Sequence, residues 1–264
     1  MAVPIEQYPD SEQRRRIMDF IMAAGQTLLE NGAEVFRVEQ TMQIMARSFH
    51  LREFNVYVLS NGIFASAGTA EISEVRNIPV RTIHLGRVAQ VNALSREIAA
   101  GKLTLDEAEQ RLAEARKIPF PCGWMQLLAG TAGSFAFARM FGGSVGSGVA
   151  AAAAGLAVSA YLLVCQKYRL PAIFQKITGA ALITFVAILV CAPLGASVSH
   201  ATIGALMILT PGVAFTMGIR DYVHGDYLSG TIRMIDAVLI AGSLACGTGL
   251  VLRLYSILTG VTVL

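Results

Sequence analysis

Thr210-Pro211-Gly212-Val213-Ala214-Phe215-Thr216-Met217-Gly218-Ile219-Arg220-Asp221 closes a long apolar run and opens a charged one. Pro211 removes a backbone donor, and Gly212 gives the chain conformational freedom. His224, Asp226, Ser229, Arg233 and Asp236 follow closely. Of the 21 Lys+Arg and 18 Asp+Glu in the chain, residues 1–120 hold 14 and 15, which leaves seven and three for residues 121–264. The cluster after Pro211 thus holds five of those ten charges in an otherwise apolar half. The rest of the chain reads as a scaffold that holds this broken segment in a membrane, at or beside a transport path.

At 54% hydrophobic residues and a mean hydropathy of +0.56, the chain is too apolar for an ordinary soluble protein and too charged for a membrane-only one. The uneven charge resolves this into a near-neutral, soluble-looking N-terminal part and a membrane part of net positive charge. No basic stripe offers a nucleic-acid surface. Cys122, Cys165, Cys191 and Cys246 lie in or beside apolar segments without metal-ligand spacing, and His50 and His84 lack partners at zinc spacing. No metal and no cofactor is expected. Gly142, Gly143, Gly146 and Gly148 superficially resemble a phosphate loop, but no strand precedes them, and helix packing is the better account. No nucleophile elbow or dinucleotide fingerprint points to an enzyme. The polar N-terminus MAVPIEQYPDSEQRRR lacks a secretory apolar core, so the N-terminal part is expected in the cytoplasm.

Residues 1–118 read as an α+β domain. Ser11 is positioned to cap a helix with Ile17, Phe20, Ile21, Ala24 and Leu28 on one face, ended by Asn31-Gly32. A second helix places Val35, Val38, Met42, Met45 and Phe49 together. The period then becomes two at Phe54, Val56 and Val58, and Asn61-Gly62 is a hairpin signal before Ile63-Phe64-Ala65. Pro79 to Leu85 reads as a third strand. Val88, Val91, Leu94 and Ile98 mark a helix closed by Gly101, and Thr104 with Glu107 forms a capping box for the last one. Glu30, Glu34, Arg37 and Glu39 cluster around a helix turn, either as a possible site or as a solvated face with i,i+3 pairs.

Ile118-Pro119-Phe120-Pro121 marks the boundary, with Trp124 placed as an interfacial aromatic. Residues 119–264 then read as an all-α polytopic membrane domain. Five apolar segments, approximately 123–141, 145–165, 173–192, 196–217 and 237–257, each approach the roughly 20 residues needed to cross a bilayer. Lys167, Arg169 and Lys176 near one connection and Arg220 and Arg233 in another place those connections on the cytoplasmic side with the N-terminus. The C-terminus TGVTVL then lies outside, in an inner (cell) membrane protein. Pro211-Gly212 falls in the cytoplasmic half of the fourth segment. A break there is either a simple kink or a discontinuous helix of the kind that builds midplane transport sites.

Several features together resemble the N-terminal half of the threonine/serine exporter (ThrE) family. They are Pro211-Gly212, Arg220-Asp221, Gly225, Ser229-Gly230 and Arg233, with Leu28-Leu29-Glu30-Asn31-Gly32-Ala33-Glu34, Arg37-Val38-Glu39 and Ser60-Asn61. The resemblance covers nearly the whole chain. It implies a transporter assembled from two five-span halves, the second being a separately encoded membrane protein, in an oligomer. It also implies export of small carboxylate-bearing metabolites, threonine and serine or dicarboxylates such as succinate, driven by the proton gradient.

On that reading Arg220 and Arg233 have the fork geometry that suits a carboxylate. Thr210, Thr216 and Ser229 are placed to bond substrate, and Pro211 and Gly212 open the helix beside it. Asp221, Asp226 and Asp236 are the candidate proton carriers, since ionisable groups near membrane depth are costly. Two rival readings stay open: helix ends anchored by ion pairs in a regulatory or structural subunit, and a membrane-tethered enzyme.

Overall fold

The computed structural model describes residues 10–68, 72–78, 82–168 and 170–260. The N-terminal residues 1–9, residues 69–71 and 79–81, Arg169 and the C-terminal residues 261–264 lie outside the described residues. The chain divides into two compact units, Met1–Phe120 with Thr216–Met234, and Pro121–Phe215 with Ile235–Leu264.

In the first unit, α1 (Ser11–Glu30) is capped by Asp10, whose carboxylate accepts from the Gln13 N–H at 2.7 Å. The cap is thus one residue earlier than Ser11. Ile17, Phe20, Ile21, Ala24 and Leu28 are buried as their spacing requires. A side chain on Gly25 would collide with the Met42 sulfur, 2.4 Å from a built Cβ, so this glycine lets α2 (Val35–Ser48) approach. Asn31 and Gly32, the latter at φ +87°, turn the chain between the two helices.

The hairpin forms as β1 (Asn55–Leu59) and β2 (Gly62–Ala67), with Tyr57 opposite Phe64 and Leu59 opposite Gly62. A third strand, β3 (Ile72–Asn77), adds antiparallel to β2, giving the sheet order β1-β2-β3. Of the strand expected at 79–85, residues 79–81 lie outside the described residues, 82–84 are irregular and Leu85 begins α3 (Leu85–Ala99). The Thr82 and His84 N–H groups bond to the carbonyls of Glu30 at 2.7 Å and Asn31 at 3.1 Å. Those donors hold the segment on the α1 C-terminus and are lost to a ladder. In α4 (Leu105–Lys117) the capping box forms, the Glu107 carboxylate accepting from the Thr104 N–H at 2.8 Å. Arg116 ties α4 to α1 through Thr27 Oγ1 at 2.7 Å and the Ala23 carbonyl at 2.9 Å. Met18, Ile21, Met22, Leu29, Val38, Met42, Met45, Ile63 and Val91 fill the core of this unit.

The second unit contains α5 (Gly123–Met140), α6 (Val145–Tyr168), α7 (Ala172–Leu194) and α8 (Val198–Leu206). Next come α9 (Gly212–Val223) and α10 (Tyr227–Thr259), whose residues 216–223 and 227–234 belong to the first unit. Small residues face inward: Ala150, Ala151, Ala154, Ala180 and Ala187 are buried. Large apolar side chains such as Leu156, Phe185, Leu189, Val238, Leu250 and Leu254 face outward. In lipid, helix association depends on close packing, and small residues permit it. Cβ atoms built on Gly130 and Gly155 would come within 2.0 Å of Ser159 Oγ and 2.2 Å of Ser134 Oγ, so α5 and α6 touch closely in two places.

The expected fold class, a soluble α+β domain followed by five membrane helices, is corrected. Ten of the thirteen described elements are helices, and the sheet has only three short strands. Among the described helices, three are long and apolar enough to cross a bilayer: Val145–Tyr168, Ala172–Leu194 and Tyr227–Thr259. The first expected span became α5, which Gln126, Thr131, Ser134 and Arg139 make too polar. The fourth, 196–217, is split: α8 has 9 residues and α9 has 12. At 1.5 Å per residue neither reaches across a hydrocarbon core of about 30 Å. The fifth begins at Tyr227 rather than near 237 and runs for 33 residues. At the α8–α9 break, Lys176 Nζ donates to the Leu209 carbonyl at 3.2 Å, and Thr210 Oγ1 donates to the Leu206 carbonyl at 3.0 Å. The Leu209 carbonyl, freed by the break, is thereby satisfied, as an apolar surrounding requires.

Candidate functional site

The charged residues after Pro211 were expected on a connection between two spans. Arg220 and Asp221 lie instead on the last turn of α9 and Arg233 and Asp236 on the first turns of α10, leaving Asp226 in the short connection 224–226. Gly225, at φ +89°, makes that turn. The two helices approach closely through Gly218 and Gly230: a Cβ built on Gly230 would stand 3.0 Å from the Gly218 carbonyl.

This crossing buries an ion pair. Arg233 Nε lies 3.0 Å from Asp221 Oδ2, with side chains only 9% and 2% exposed. Arg233 also donates to the Met217 sulfur at 3.1 Å and to the Ala33 carbonyl at 3.4 Å, tying α10 to the α1–α2 turn. Arg220 pairs with Glu34 at the first turn of α2, with a more exposed guanidinium. A screened pair of this kind contributes little, about 0–1 kcal/mol. The buried pair differs: removing one partner strands the other charge away from water.

The hairpin joins the same cluster from two sides. Glu39 Oε1 accepts the Val58 N–H at 2.8 Å. Ser229 Oγ, which is buried, accepts the Ser60 N–H at 3.2 Å. Phe36 stacks on His224 with centroids 4.7 Å apart, and His224 Nδ1 lies 2.8 Å from the Arg220 carbonyl, to which it donates.

Arg220, Asp221, Asp226, Ser229 and Arg233 are thus gathered in the first unit with Glu34 and Glu39. Thr216 is in the same unit, while Thr210, Pro211, Gly212 and Asp236 belong to the other. Glu30 faces away, its carboxylate accepting from Gln26 at 2.7 Å. Arg37 lines a groove of about 460 Å³ between α2 and α3, bounded also by Gly32, Ala33, Glu34 and Met217. From α3 come Asn92, Ser95 and Arg96, which the sequence reading passed over. Their signal was present as polar positions at helical spacing on the face that carries Leu85 and Val88.

Burial pushes the Asp221 carboxyl up. Arg233 opposes that shift, Asp226 and Glu34 add to it, and His224 opposes it. Burial also raises Asp226, against the pull of His224. Glu39 is raised by burial and by Asp226, while the Val58 N–H holds it down. A carboxyl raised in the folded protein binds protons more tightly there than in the unfolded chain. Stability therefore falls as pH climbs above the ordinary values of 3.8 and 4.5 through the raised ones. Asp226→Asn removes one such group. The expected result is that wild type loses stability relative to this variant as pH rises from 4 to 7; parallel thermal unfolding curves across that range contradict it.

Among the described residues, no group of three or more His, Cys, Asp or Glu is arranged to hold a metal ion.

The family described as "Putative threonine/serine exporter" matches residues 19–255 of this chain. A protein of Mycobacterium tuberculosis described as "Probable threonine/serine exporter" is 23% identical over 249 residues, covering 92% of this chain and 47% of that protein. The chain thus spans about half the length of the curated relative it matches. No solved structure matches it.

Proposed function

Because this chain belongs to the threonine/serine exporter family, we propose that it forms one half of a proton-coupled exporter of small carboxylate-bearing metabolites. A second half-transporter, corresponding to the part of the longer relative that this chain leaves uncovered, completes the path. The chain lies in the cell membrane with its first unit in the cytoplasm. Threonine and serine are the first substrates to try, on the family's description, and dicarboxylates such as succinate come second.

The observation that carries this reading is the buried Asp221–Arg233 pair. A substrate can seat its carboxylate at the guanidinium, which binds carboxylates through a planar fork, while the ammonium of threonine or serine pairs with the ionised Asp221. A proton taken up by the buried Asp221, a change its raised affinity favours, removes the charge that holds the ammonium and so releases the substrate. Proton and substrate then compete for one ion pair, and each leaves as the other arrives. Asp226 and Glu39 extend the proton relay, Ser229 orients the substrate, and Arg220 with Glu34 forms the cytoplasmic gate. Thr210, Pro211, Gly212, Thr216 and Asp236 are further candidates for substrate contact.

Reconstitution tests the proposal. Proteoliposomes carrying this chain with its second half are expected to release labelled threonine, serine or succinate when the medium is acidified, and each half alone is expected to release none. Release by the second half alone contradicts a role for this chain in the conducting path.

A further inference from the structure

The groove between α2 and α3 has a chemistry that the transport reading does not use. Its polar side chains divide unevenly. The one carboxylate, Glu34, is already matched by Arg220. The two cations, Arg37 on α2 and Arg96 on α3, have no carboxylate within 4.0 Å and no side-chain hydrogen bond among the described residues. Both are exposed toward solvent.

The amides lean the same way. Asn92 Oδ1 accepts from Thr41 Oγ1 at 3.4 Å, which leaves the Asn92 NH₂ as the part of the amide without a partner among the described residues. Gln40, one turn beyond Arg37, brings a second amide. Below them Ile44, Val88 and Met217 make an apolar floor. Two guanidinium groups, two amide donors and a short apolar floor in about 460 Å³ match a small anion with a few carbons. Guanidinium groups on facing helices suit a planar carboxylate better than a point anion, because each presents a fork.

We infer that this groove is a binding site for a small carboxylate, held by Arg37 and Arg96 and oriented by Asn92 and Gln40. The site lies next to the transport pair. Ala33 and Met217, which border the groove, are also the residues to which Arg233 donates. Occupancy would press on those contacts and so bias the Asp221–Arg233 pair. The inference about binding stands independently of the proposed transport reading; only this coupling rests on it.

The test is binding to the full chain purified in detergent, where transport does not enter. Sodium succinate, L-threonine and L-serine are titrated calorimetrically, with ethanolamine as a carboxylate-free control. At least one carboxylate is expected to bind saturably and ethanolamine not at all. Arg37→Gln combined with Arg96→Gln is expected to weaken that binding at least tenfold, and Arg37→Lys combined with Arg96→Lys to recover part of it. Unfolding temperatures close to wild type in both variants establish that the fold is kept. Unchanged affinity in the glutamine variant, or no binding by any of the three carboxylates, overturns the site. Efflux in proteoliposomes is read separately, so its loss alone bears on the transport proposal and leaves the binding result standing.

Discussion

Asp221→Asn lowers efflux to the leak rate of empty vesicles and makes the purified chain easier to unfold. Both effects follow from the burial of Asp221 and Arg233 and the 3.0 Å contact between them. The neutral asparagine leaves the Arg233 guanidinium without its counter-charge in a site with little water. Breaking a buried pair by deleting one partner costs about 3–5 kcal/mol. That is a large share of the roughly 5–15 kcal/mol by which a folded protein is stable. Removing both charges should restore much of the loss, because a well-packed apolar replacement for a buried pair is often neutral or better. Asp221→Asn with Arg233→Met is therefore expected to regain most of the unfolding temperature and none of the efflux. Efflux regained along with stability would mean that the pair only holds the helices together. Unfolding in detergent and release from proteoliposomes, measured on the same preparations, separate the two.

Gly247→Leu is expected to leave little folded protein, while Gly249→Ala, two residues along the same helix, is tolerated. A Cβ built on Gly247 would lie 2.1 Å from the Ile177 carbonyl oxygen and 3.0 Å from its carbon. Backbone atoms of α7 cannot swing aside like the end of a long side chain, so α10 must move away over its length. Overpacking of this kind costs about 3 kcal/mol, the upper part of its usual range, and in lipid there is no hydrophobic force to pull the helices back together. Gly249 has open space around it, and alanine in a helix is favoured over glycine by about 1 kcal/mol. Gly204 offers a third case, its built Cβ lying 2.6 Å from the Ala138 backbone nitrogen. Monodisperse yield and unfolding temperature check all three. Equal behaviour of the Gly247 and Gly249 variants would contradict the packing described for α7 and α10.

Local chemistry made much of the first unit readable. The Thr104–Glu107 capping box and the apolar faces of α1 and α2 depend on residues a few positions apart, and they formed where the pattern placed them. The hairpin signalled by Asn61-Gly62 also formed, but one residue earlier, with Ser60 and Asn61 in the loop and Gly62 paired with Leu59. The third strand was misplaced because its alternation is weak: Ser73, Glu74, Arg76 and Asn77 dilute it, while Val80, Ile83 and Leu85 give the more apolar run. What decided the matter was tertiary, two donors of the later segment being taken by the end of α1.

The membrane helices failed differently. The first expected span was credited with too much apolar content: Gln126, Thr131, Ser134 and Arg139 leave α5 short of a span's hydropathy, and it packs closely on α6 through serine and glycine. Pro211-Gly212 did mark a real break, but the helices after it were read as a connection because charges clustered there. Those charges are compatible with helix because partners from α2 and from the α1–α2 turn meet Arg220 and Arg233. Nothing local in the sequence announces contacts across some 200 residues. Glu34 and Glu39 stood out as charges, whereas the groove that holds Arg37 and Arg96 needed two helices from different parts of the chain.

The central claim is that a carboxylate substrate and a proton exchange places at Asp221 and Arg233. It is tested most directly in proteoliposomes that contain both halves, a trapped pH-sensitive dye and an outward gradient of substrate. The account predicts that the lumen acidifies as substrate leaves wild-type vesicles and that neither change occurs with Asp221→Asn. Substrate release with no change in lumen pH, or acidification that persists in the Asp221→Asn vesicles, would contradict it.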